Sequence, residues 1–502
     1  MTTIHRNGSR PVDTRTQERV DGQAATRQPT RNERARPDAG RDAFQPAAVT
    51  PSANRLGVTP AGAQEVRTTS TTPVAPAALS PSELRAAEQA IANAHDGRDA
   101  SYVAEWLKNN PDPAKQAAFM DLMFQFGAVA GGILDDVQRL PEADRARLSQ
   151  ALDNAYRSGA ISDAELSEAV ASAHRGELPG ETHEGLASII AGTGNPDLIE
   201  TYAKREMEIV RENGGYDQQR SAAVATALAG LPPDRLQAFL ASNAEGMADV
   251  LKNINAGMDS GYSPALGQLL DAAARINPPT AESLKLFTDS IDKLGENRES
   301  RAAAARFFTQ HGDAVLAGLQ DQSGSLGLDG QKKMSEFFAR TLFSPPQDYP
   351  GADAFRQNVM QRLETMNAGL AQHANENPPS QDAKRSARLM GSLVGSLEGG
   401  FQVAVDELNK RNDAVKGMVD LLFSAKSLLP NLPIPGAGKL KDLTIDQLQR
   451  WVTSNLQEKA QSPSEAIPFH RAFGEQISNP DLRTDYDAAR GDAFLNRQRG
   501  LS

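Results

Sequence analysis

Histidine and carboxylate residues are the first candidates in this sequence for metal or acid–base chemistry. A metalloprotease zinc site needs two histidines four residues apart on one helix, with a glutamate after the first. His183 and Glu184 begin such a pattern, but Ala187 stands where the second histidine is required. The neighbouring Gly180 and Gly185 favour a loop. The sequence therefore predicts an exposed polar loop here and not a zinc site.

A second pair, His311 and Asp313, flanks Gly312 and has the residue types of a histidine–carboxylate acid–base pair. The same three residues are also typical of a helix C-terminus, where histidine interacts with the helix dipole and glycine ends the helix. We favour the helix end. An enzymatic function would instead require a cleft with convergent carboxylates, or a His311 with a strongly perturbed pKa.

Other catalytic and ligand-binding patterns are incomplete. The serine nucleophile elbow Gly-x-Ser-x-Gly does not occur. The stretch 436–439, Gly-Ala-Gly-Lys, lacks the spacing and the hydroxyl of a phosphate-binding loop and predicts a flexible turn. Four aspartates near the end lack the glycine and glutamate of a calcium loop and predict a solvated acidic tail: Asp481, Asp485, Asp487 and Asp492. The sequence assigns no catalytic, cofactor-binding or metal-binding residue.

Helices must position whatever site exists, because the sequence predicts an all-α body. Ser80 can cap a helix, Pro81 suits its first position, and Glu83 completes a capping box. Helix-breaking residues farther along the chain are also followed by acidic residues, which are typical of the first turn of a helix. Between them, apolar residues recur at intervals of three and four residues, as in Leu236, Phe239 and Leu240. We expect irregular helical bundles or an irregular α-solenoid, preceded by a long disordered N-terminal tail.

The predicted organisation has four parts. Residues 1–79 form a disordered tail, since their few apolar residues follow no period and cannot offset the entropy of ordering. An N-terminal helical lobe spans 80–325, a C-terminal helical lobe 326–460, and an irregular C-terminal tail 461–502. No fixed repeat period occurs. The best internal echo is Asn-Pro-Asp-Leu at 195–198 and again at 479–482, each followed by a tyrosine four residues after the leucine.

The segment 389–429 has the most regular pattern. Leucine and phenylalanine recur every fourth residue, and a stripe of small residues, Gly391, Gly395 and Gly399, lies on an adjacent face. Such a stripe lets two helices approach closely. We interpret the segment as close-packed core helices; a partner-binding groove and a membrane-active hairpin are the alternatives.

An apolar run at 122–134 contains no charged residue. Its thirteen residues are fewer than the roughly 20 that span a bilayer, so we predict a buried core helix. Insertion into a membrane through 117–134 and 389–429 is the alternative. The first residues lack an apolar core of a secretory signal, so export by a cleaved general-secretion signal is not expected.

Charge and cysteine content limit the function classes. The chain has 53 Lys and Arg, 64 Asp and Glu, and no cysteine, which excludes disulfides and cysteine-ligated metals. Residues 1–80 carry a net charge of +4 and residues 81–502 carry −15. An acidic body repels phosphates, so we do not expect nucleic-acid binding.

A Ser-, Thr-, Gln-, Pro- and Arg-rich N-terminus without a cleavable signal, joined to a cysteine-free helical body, resembles bacterial type III or type IV secreted effectors. The resemblance is compositional and covers mainly residues 1–80. It implies a cytoplasmic protein that is exported by a signal-peptide-independent route, with the tail engaging the exporter.

The functional hypothesis is a non-enzymatic effector that binds a protein partner through helical surfaces and needs no cofactor. The partner would be a host or target-cell protein, or an export chaperone. An exposed apolar patch on the body would favour this hypothesis. The alternatives are an all-α hydrolase-type effector, a membrane-active translocator-like protein and an intracellular scaffold.

Overall fold

A computed structural model of the chain describes residues 74–173, 185–215, 217–255, 263–294, 297–320, 327–343, 349–406 and 473–495, with single residues at 417, 421 and 470. These residues form eighteen α-helices and no strand, which confirms the predicted all-α class. The disorder predicted for 1–79 lies, up to residue 73, outside the described residues, as do His183–Glu184 and 436–439.

The eighteen helices are named in chain order. The first nine are α1 Pro81–Gly97, α2 Ser101–Asn109, α3 Pro113–Phe124, α4 Gly127–Asp135, α5 Glu142–Arg157, α6 Asp163–Ser172, α7 Gly185–Thr193, α8 Pro196–Glu212 and α9 Gln218–Leu228. The others are α10 Pro233–Ser242, α11 Ala244–Asn255, α12 Ser263–Ala274, α13 Ala281–Ser290, α14 Arg298–Gln320, α15 Gly327–Phe338, α16 Ala352–Gln372, α17 Gln381–Asp406 and α18 Pro480–Leu495. A π-helical turn, Ala339–Phe343, extends α15, and short 3₁₀ turns lie at Asp136–Arg139 and Gly474–Gln476.

Helix starts follow the predicted capping residues. The Ser80 hydroxyl accepts from the Glu83 N–H, and the Glu83 carboxylate accepts from the Ser80 N–H, forming the capping box expected at the start of α1. The two Asn-Pro-Asp-Leu echoes also begin helices. Asn195 caps α8 and Asn479 caps α18, each accepting hydrogen bonds from two backbone N–H groups of the first turn.

From α1 to α17, the main helix–helix contacts join helices that are one, two or three positions apart in the chain. The series α3, α5, α7 and α9 packs one helix on the next, and α4, α6 and α8 do the same. This nearest-neighbour order is compatible with both expected architectures, irregular helical bundles and an irregular α-solenoid. Two helices contain long stretches in which every residue is buried: Arg220 to Leu228 in α9 and Met390 to Phe401 in α17.

A cluster of phenylalanines joins α13, α14, α15 and α16. Phe337 lies at its centre, with ring centroids 5.7 Å from both Phe287 and Phe355 and 6.3 Å from Phe308. Phe287 also stacks on Phe307 at 4.7 Å. The rings come from both sides of the lobe border expected at 325/326, and that border stays a prediction.

The structure corrects two details of the predicted elements. Helix α14 continues through His311 and Gly312 to Gln320, so the helix end predicted there is wrong. Gly312 serves packing, since a Cβ atom there would lie 3.1 Å from the Arg362 guanidinium carbon. The apolar run 122–134 is buried as predicted at Met123, Phe124, Ile133 and Leu134. It forms two helices, however, because the chain turns at Gln125–Phe126 between α3 and α4.

Candidate functional site at the α17–α18 contact

The glycine stripe of α17 brings another helix close to its backbone, as predicted for Gly391 and Gly395. A Cβ atom on Gly391 would lie 2.3 Å from the Tyr486 carbonyl oxygen, and one on Gly395 would lie 2.4 Å from that of Arg490. Side chains larger than hydrogen therefore cannot occupy these positions without moving α18. The partner helix begins within the 461–502 range that was expected to be irregular.

On the opposite side of α17, another glycine allows α15 to approach closely. A Cβ atom on Gly400 would lie 2.8 Å from the Ser335 carbonyl oxygen and 2.9 Å from the Phe338 Cβ. The backbones of α15 and α18 therefore both lie close to α17, one on each side. The prediction that this segment forms a close-packed core helix is confirmed for its described part, up to residue 406. The rest of the segment, residues 407–429, lies outside the described residues except for 417 and 421.

A carboxylate is buried in this contact. Glu398 of α17 is 1% exposed, and its Oε2 accepts a hydrogen bond of 2.7 Å from the Arg490 Nε of α18. The backbone N–H of His470 also donates to this carboxylate. Burial raises the pKa of the Glu398 carboxyl to about 7, although Arg490 acts in the opposite direction. The group therefore gains or loses a proton near neutral pH.

An imidazole and a phenol lie beside this ion pair. The rings of His470 and Tyr486 stack with centroids 5.9 Å apart and an interplanar angle of 14°. Gly474 packs against both rings, since a Cβ atom there would lie 2.6 Å from the His470 Nδ1 and 2.5 Å from the Tyr486 Cε1. Burial lowers the pKa of the His470 imidazole and raises that of the Tyr486 hydroxyl.

Three buried polar atoms of this group have no hydrogen-bond partner among the described residues: Glu398 Oε1, His470 Nδ1 and Tyr486 Oη. Unpaired buried polar atoms are costly, at roughly 1–3 kcal/mol each. They mark the α17–α18 contact as a place where polar groups are retained at the expense of stability.

The aspartates predicted to form a solvated tail are partly engaged on α18. Asp485 accepts hydrogen bonds from Arg388 of α17, with a shortest distance of 2.7 Å. Asp487 pairs with Arg483 at 3.2 Å and lies 3.9 Å from the His470 Nδ1. The solvated-tail prediction is therefore wrong for Asp485, which is 18% exposed and pairs with a cation distant in sequence, whereas Asp487 is 45% exposed.

A second buried ion pair, between α8 and α9, follows the first Asn-Pro-Asp-Leu echo. Arg220 donates to Glu206 at 2.6 Å and to the carbonyl oxygens of Val170 and Ala173 at the end of α6. The Tyr202 hydroxyl donates to the other Glu206 oxygen at 2.9 Å. Both echoes thus place a tyrosine beside a buried glutamate–arginine pair, but the pair near Tyr202 is fully hydrogen bonded.

The His311–Asp313 pair, the alternative to a helix end, does not form. The His311 imidazole is buried, its Nε2 lies 2.8 Å from the Ala274 carbonyl oxygen at the end of α12, and it packs edge-on against Phe307 at 5.0 Å. Burial lowers its pKa. Asp313 is exposed and pairs with Arg362 of α16. The hydrolase interpretation stays a prediction without these two residues as its pair.

Metal and membrane features are limited in the part of the chain that the structure describes. It contains no group of three or more metal-ligating His, Asp or Glu side chains. No helix in it is by itself long and apolar enough to cross a bilayer. Only the bent pair Pro113–Phe124 and Val129–Arg139, at 115°, reaches the required length and composition together.

Comparison with known proteins gives no relative. No family model, curated protein or solved structure matches this chain. The resemblance to secreted effectors accordingly rests on composition alone.

The Glu398 group can store a proton and hold α18, but as arranged it cannot reach a substrate, because its carboxylate is buried. Sequence analysis assigned no role to Glu398, His470 or Arg490. Arg490 lies 92 residues from Glu398, so no local period links them. The only usable signal was the repeated tyrosine after Asn-Pro-Asp-Leu.

Proposed function

We propose that this protein is a non-enzymatic secreted effector that binds another protein through helical surfaces, chiefly those of the N-terminal helices α1 to α4. It is made in the cytoplasm and exported by a signal-peptide-independent route that uses the N-terminal region. The proposal combines the composition of residues 1–80 with one feature of the folded body, the location of its exposed apolar side chains.

Exposed large apolar side chains are concentrated at one end of the helix series. Among the described residues five are exposed, and four of them lie between residues 74 and 126: Val74, Leu84, Tyr102 and Phe126. Phe126, at the turn between α3 and α4, is 62% exposed. The fifth, Leu495, lies at the end of α18. Single exposed apolar residues are normal, but a concentration of them is typical of binding surfaces.

The packing order supports the same function. Helices that pack mainly on their near neighbours in the chain spend only part of their surface on them, which leaves outer faces available on helices other than α9 and the buried part of α17. Such faces bind proteins without a catalytic cleft. The net charge of −15 over residues 81–502 favours a partner with a basic surface around an apolar centre.

Binding is tested with the full chain as bait in recipient-cell lysate. We expect a triple variant, Leu84→Ser, Tyr102→Ser and Phe126→Ser, to reduce the amount of captured partner at least tenfold, since apolar anchors supply most binding energy. Leu495→Ser is the matched control, because it removes an apolar side chain of similar exposure (51%) from the other end.

The binding proposal fails if the wild-type chain captures no partner. It also fails if the triple variant captures as much as the wild type. Equal loss in the Leu495→Ser control would indicate nonspecific adsorption and would equally reject the assigned surface. Far-UV circular dichroism checks that each variant retains its helices.

Export is tested separately, by fusing the full chain to a reporter that is active only inside recipient cells. We expect delivery from a strain with an intact specialised secretion machine and none from a machine-deficient strain. A variant in which residues 1–73 are replaced by a scrambled sequence of identical composition distinguishes a specific signal from composition alone. Delivery that does not depend on the machine would reject the effector proposal.

A further inference from the structure

The turn between α3 and α4 presents an aromatic ring at a fixed point of the surface. Among the described large apolar side chains, that of Phe126 is the most exposed, at 62%. Its backbone is held in place, since the Phe126 carbonyl oxygen accepts from the N–H groups of Val129 at 2.7 Å and of Ala130 at 3.1 Å. The neighbouring Leu122 and Val129 are half-buried and pack against the core. The exposed ring therefore sits on a hydrogen-bonded helix start and not on a free loop.

Carboxylates of two helices lie beside this turn. A Cβ atom on Gly127, the residue after Phe126, would lie 2.8 Å from the Glu168 Cβ of α6, so the stem of Glu168 packs against the start of α4. The Glu168 residue is exposed. Asp121, in the last turn of α3, is half-buried, and the charge of Glu165 in α6 acts on it. Acids of both α3 and α6 thus lie close to the α3–α4 turn.

These carboxylates lack a cation. In the described part of the chain, Asp121, Glu165 and Glu168 form no ion pair with lysine, arginine or histidine. Glu165 accepts from the Ser162 N–H at 2.8 Å as the capping residue of α6, and Asp121 accepts from the Gln125 side chain. Burial raises the pKa of the Asp121 carboxyl, and the charge of Glu165 acts in the same direction. A cation brought from outside would therefore stabilise charges that the fold leaves uncompensated.

We propose that the α3–α4 turn docks an arginine side chain on a basic surface of the protein partner, with the guanidinium over the Phe126 ring and its N–H groups directed at the neighbouring carboxylates. Arginine suits this surface better than lysine, because a planar guanidinium stacks on an aromatic ring and still offers N–H groups to carboxylates. This inference rests on the proposed function, since it specifies the chemistry of the partner at one point of the assigned surface.

A lipid bilayer is the other kind of surface that accepts an exposed aromatic tip. The charges beside the ring disfavour it. Segments that lie on membranes carry Lys and Arg next to their apolar residues, whereas this turn has Asp121 and Glu168 and would be repelled by anionic headgroups. Charge complementarity therefore favours a basic protein surface.

Fluorescence anisotropy with the full chain and two labelled peptides, nona-arginine and nona-lysine, tests the assigned ring. We expect the wild type to bind nona-arginine roughly two- to fivefold more tightly than nona-lysine, because only the guanidinium gains from stacking. Phe126→Leu keeps an apolar side chain but removes the ring and should lose this preference. Phe126→Tyr keeps a ring and should retain it.

A second pair of variants tests the carboxylates. Asp121→Asn combined with Glu168→Gln should weaken nona-arginine binding by roughly threefold or more, since two charges beside the ring are lost. The matched control combines Asp249→Asn with Glu245→Gln, which removes the same two charges from exposed positions of α11. We expect the control to bind like the wild type, and far-UV circular dichroism checks that both double variants retain their helices.

The proposal is overturned if Phe126→Leu keeps the wild-type preference for nona-arginine, or if the two double variants bind equally well. It is also overturned if the wild type sediments with phosphatidylcholine–phosphatidylglycerol vesicles and Phe126→Ser does not, because the ring would then be a membrane anchor. Failure of the proposed function gives a different result. A chain that prefers nona-arginine but captures no partner from lysate loses the effector function and keeps this docking site, whereas capture without the preference rejects only the docking site.

Discussion

Two buried tyrosines follow the same local sequence and reach different surroundings. The Tyr202 hydroxyl donates to Glu206, whereas the Tyr486 hydroxyl has no hydrogen-bond partner among the described residues. We expect Tyr202→Phe to lower the free energy of unfolding by about 1–2 kcal/mol, because it removes a hydrogen bond to a buried carboxylate. Tyr486→Phe should change it by less than about 0.5 kcal/mol or raise it. Urea denaturation of the two variants is the measurement, and equal losses would contradict the difference in their hydrogen bonding.

Two ion pairs between α17 and α18 provide a second comparison. Arg490 is 15% exposed and pairs with a buried carboxylate, while Arg388 is 55% exposed and pairs with Asp485. At pH 8 we expect Arg490→Met to cost about 3–5 kcal/mol, because it leaves Glu398 buried without its cation. Arg388→Met should cost less than about 1 kcal/mol.

The cost of Arg490→Met should depend on pH. Because the pKa of Glu398 is raised to about 7, its carboxyl is mostly neutral at pH 5.5 and needs the cation less. Urea denaturation at pH 8 and pH 5.5 should therefore show a smaller loss in acid. A loss that is the same at both pH values would show that packing of the arginine stem, and not charge pairing, sets the cost.

Adjacent glycines in α4 offer a test at the scale of helix packing. A Cβ atom on Gly131 would lie 2.3 Å from the Ala169 carbonyl oxygen of α6, whereas one on Gly132 would meet no atom within 4 Å. We expect Gly131→Ala to destabilise the protein by about 1–3 kcal/mol, since α4 must move away from α6. Gly132→Ala should stabilise it by about 0.5–1 kcal/mol, because alanine costs less conformational entropy in a helix.

Thermal unfolding of the two alanine variants and the wild type gives the comparison directly. Both variants carry a glycine-to-alanine substitution in the same helix and are measured under the same conditions. They therefore differ in the atoms that face the new methyl group. If both variants shift the melting temperature in the same direction, close backbone contact does not explain the glycine at position 131.

Elements were predictable from sequence where their signals are local. The capping box at Ser80 and Glu83 and the asparagine caps at 195 and 479 lie within one helical turn of the N–H groups they bond. The start at Ser80 was predicted and is observed, whereas the helix after Asn479 lies in a range that was expected to be irregular. Gly312 shows the limit of this reasoning. A glycine that ends a helix and one that accepts a neighbouring side chain look alike in sequence, and Arg362, 50 residues away, decides between them.

At the scale of the whole described chain, the all-α class followed from apolar spacing, but the pairing of helices did not. The stripe at Gly391 and Gly395 predicted close contact without indicating the partner, because α18 begins more than 70 residues after α17 ends. The Glu398–Arg490 pair was missed for the same reason, since a buried ion pair leaves no periodic trace in either helix. Only its three-dimensional surroundings separate this glutamate from the many acids on helix surfaces.

The neighbour-to-neighbour packing of α1 to α17 has a mechanical consequence. A chain pulled by its N-terminal end would lose its helices in order, since each one is held mainly by the next few, and the force would never have to break the whole body at once. Pulled by its C-terminal end, the same chain would first have to shear α18 from α17, where close backbone contact and a buried ion pair act together. The direction of pulling would thus decide whether unfolding begins with a low or a high barrier.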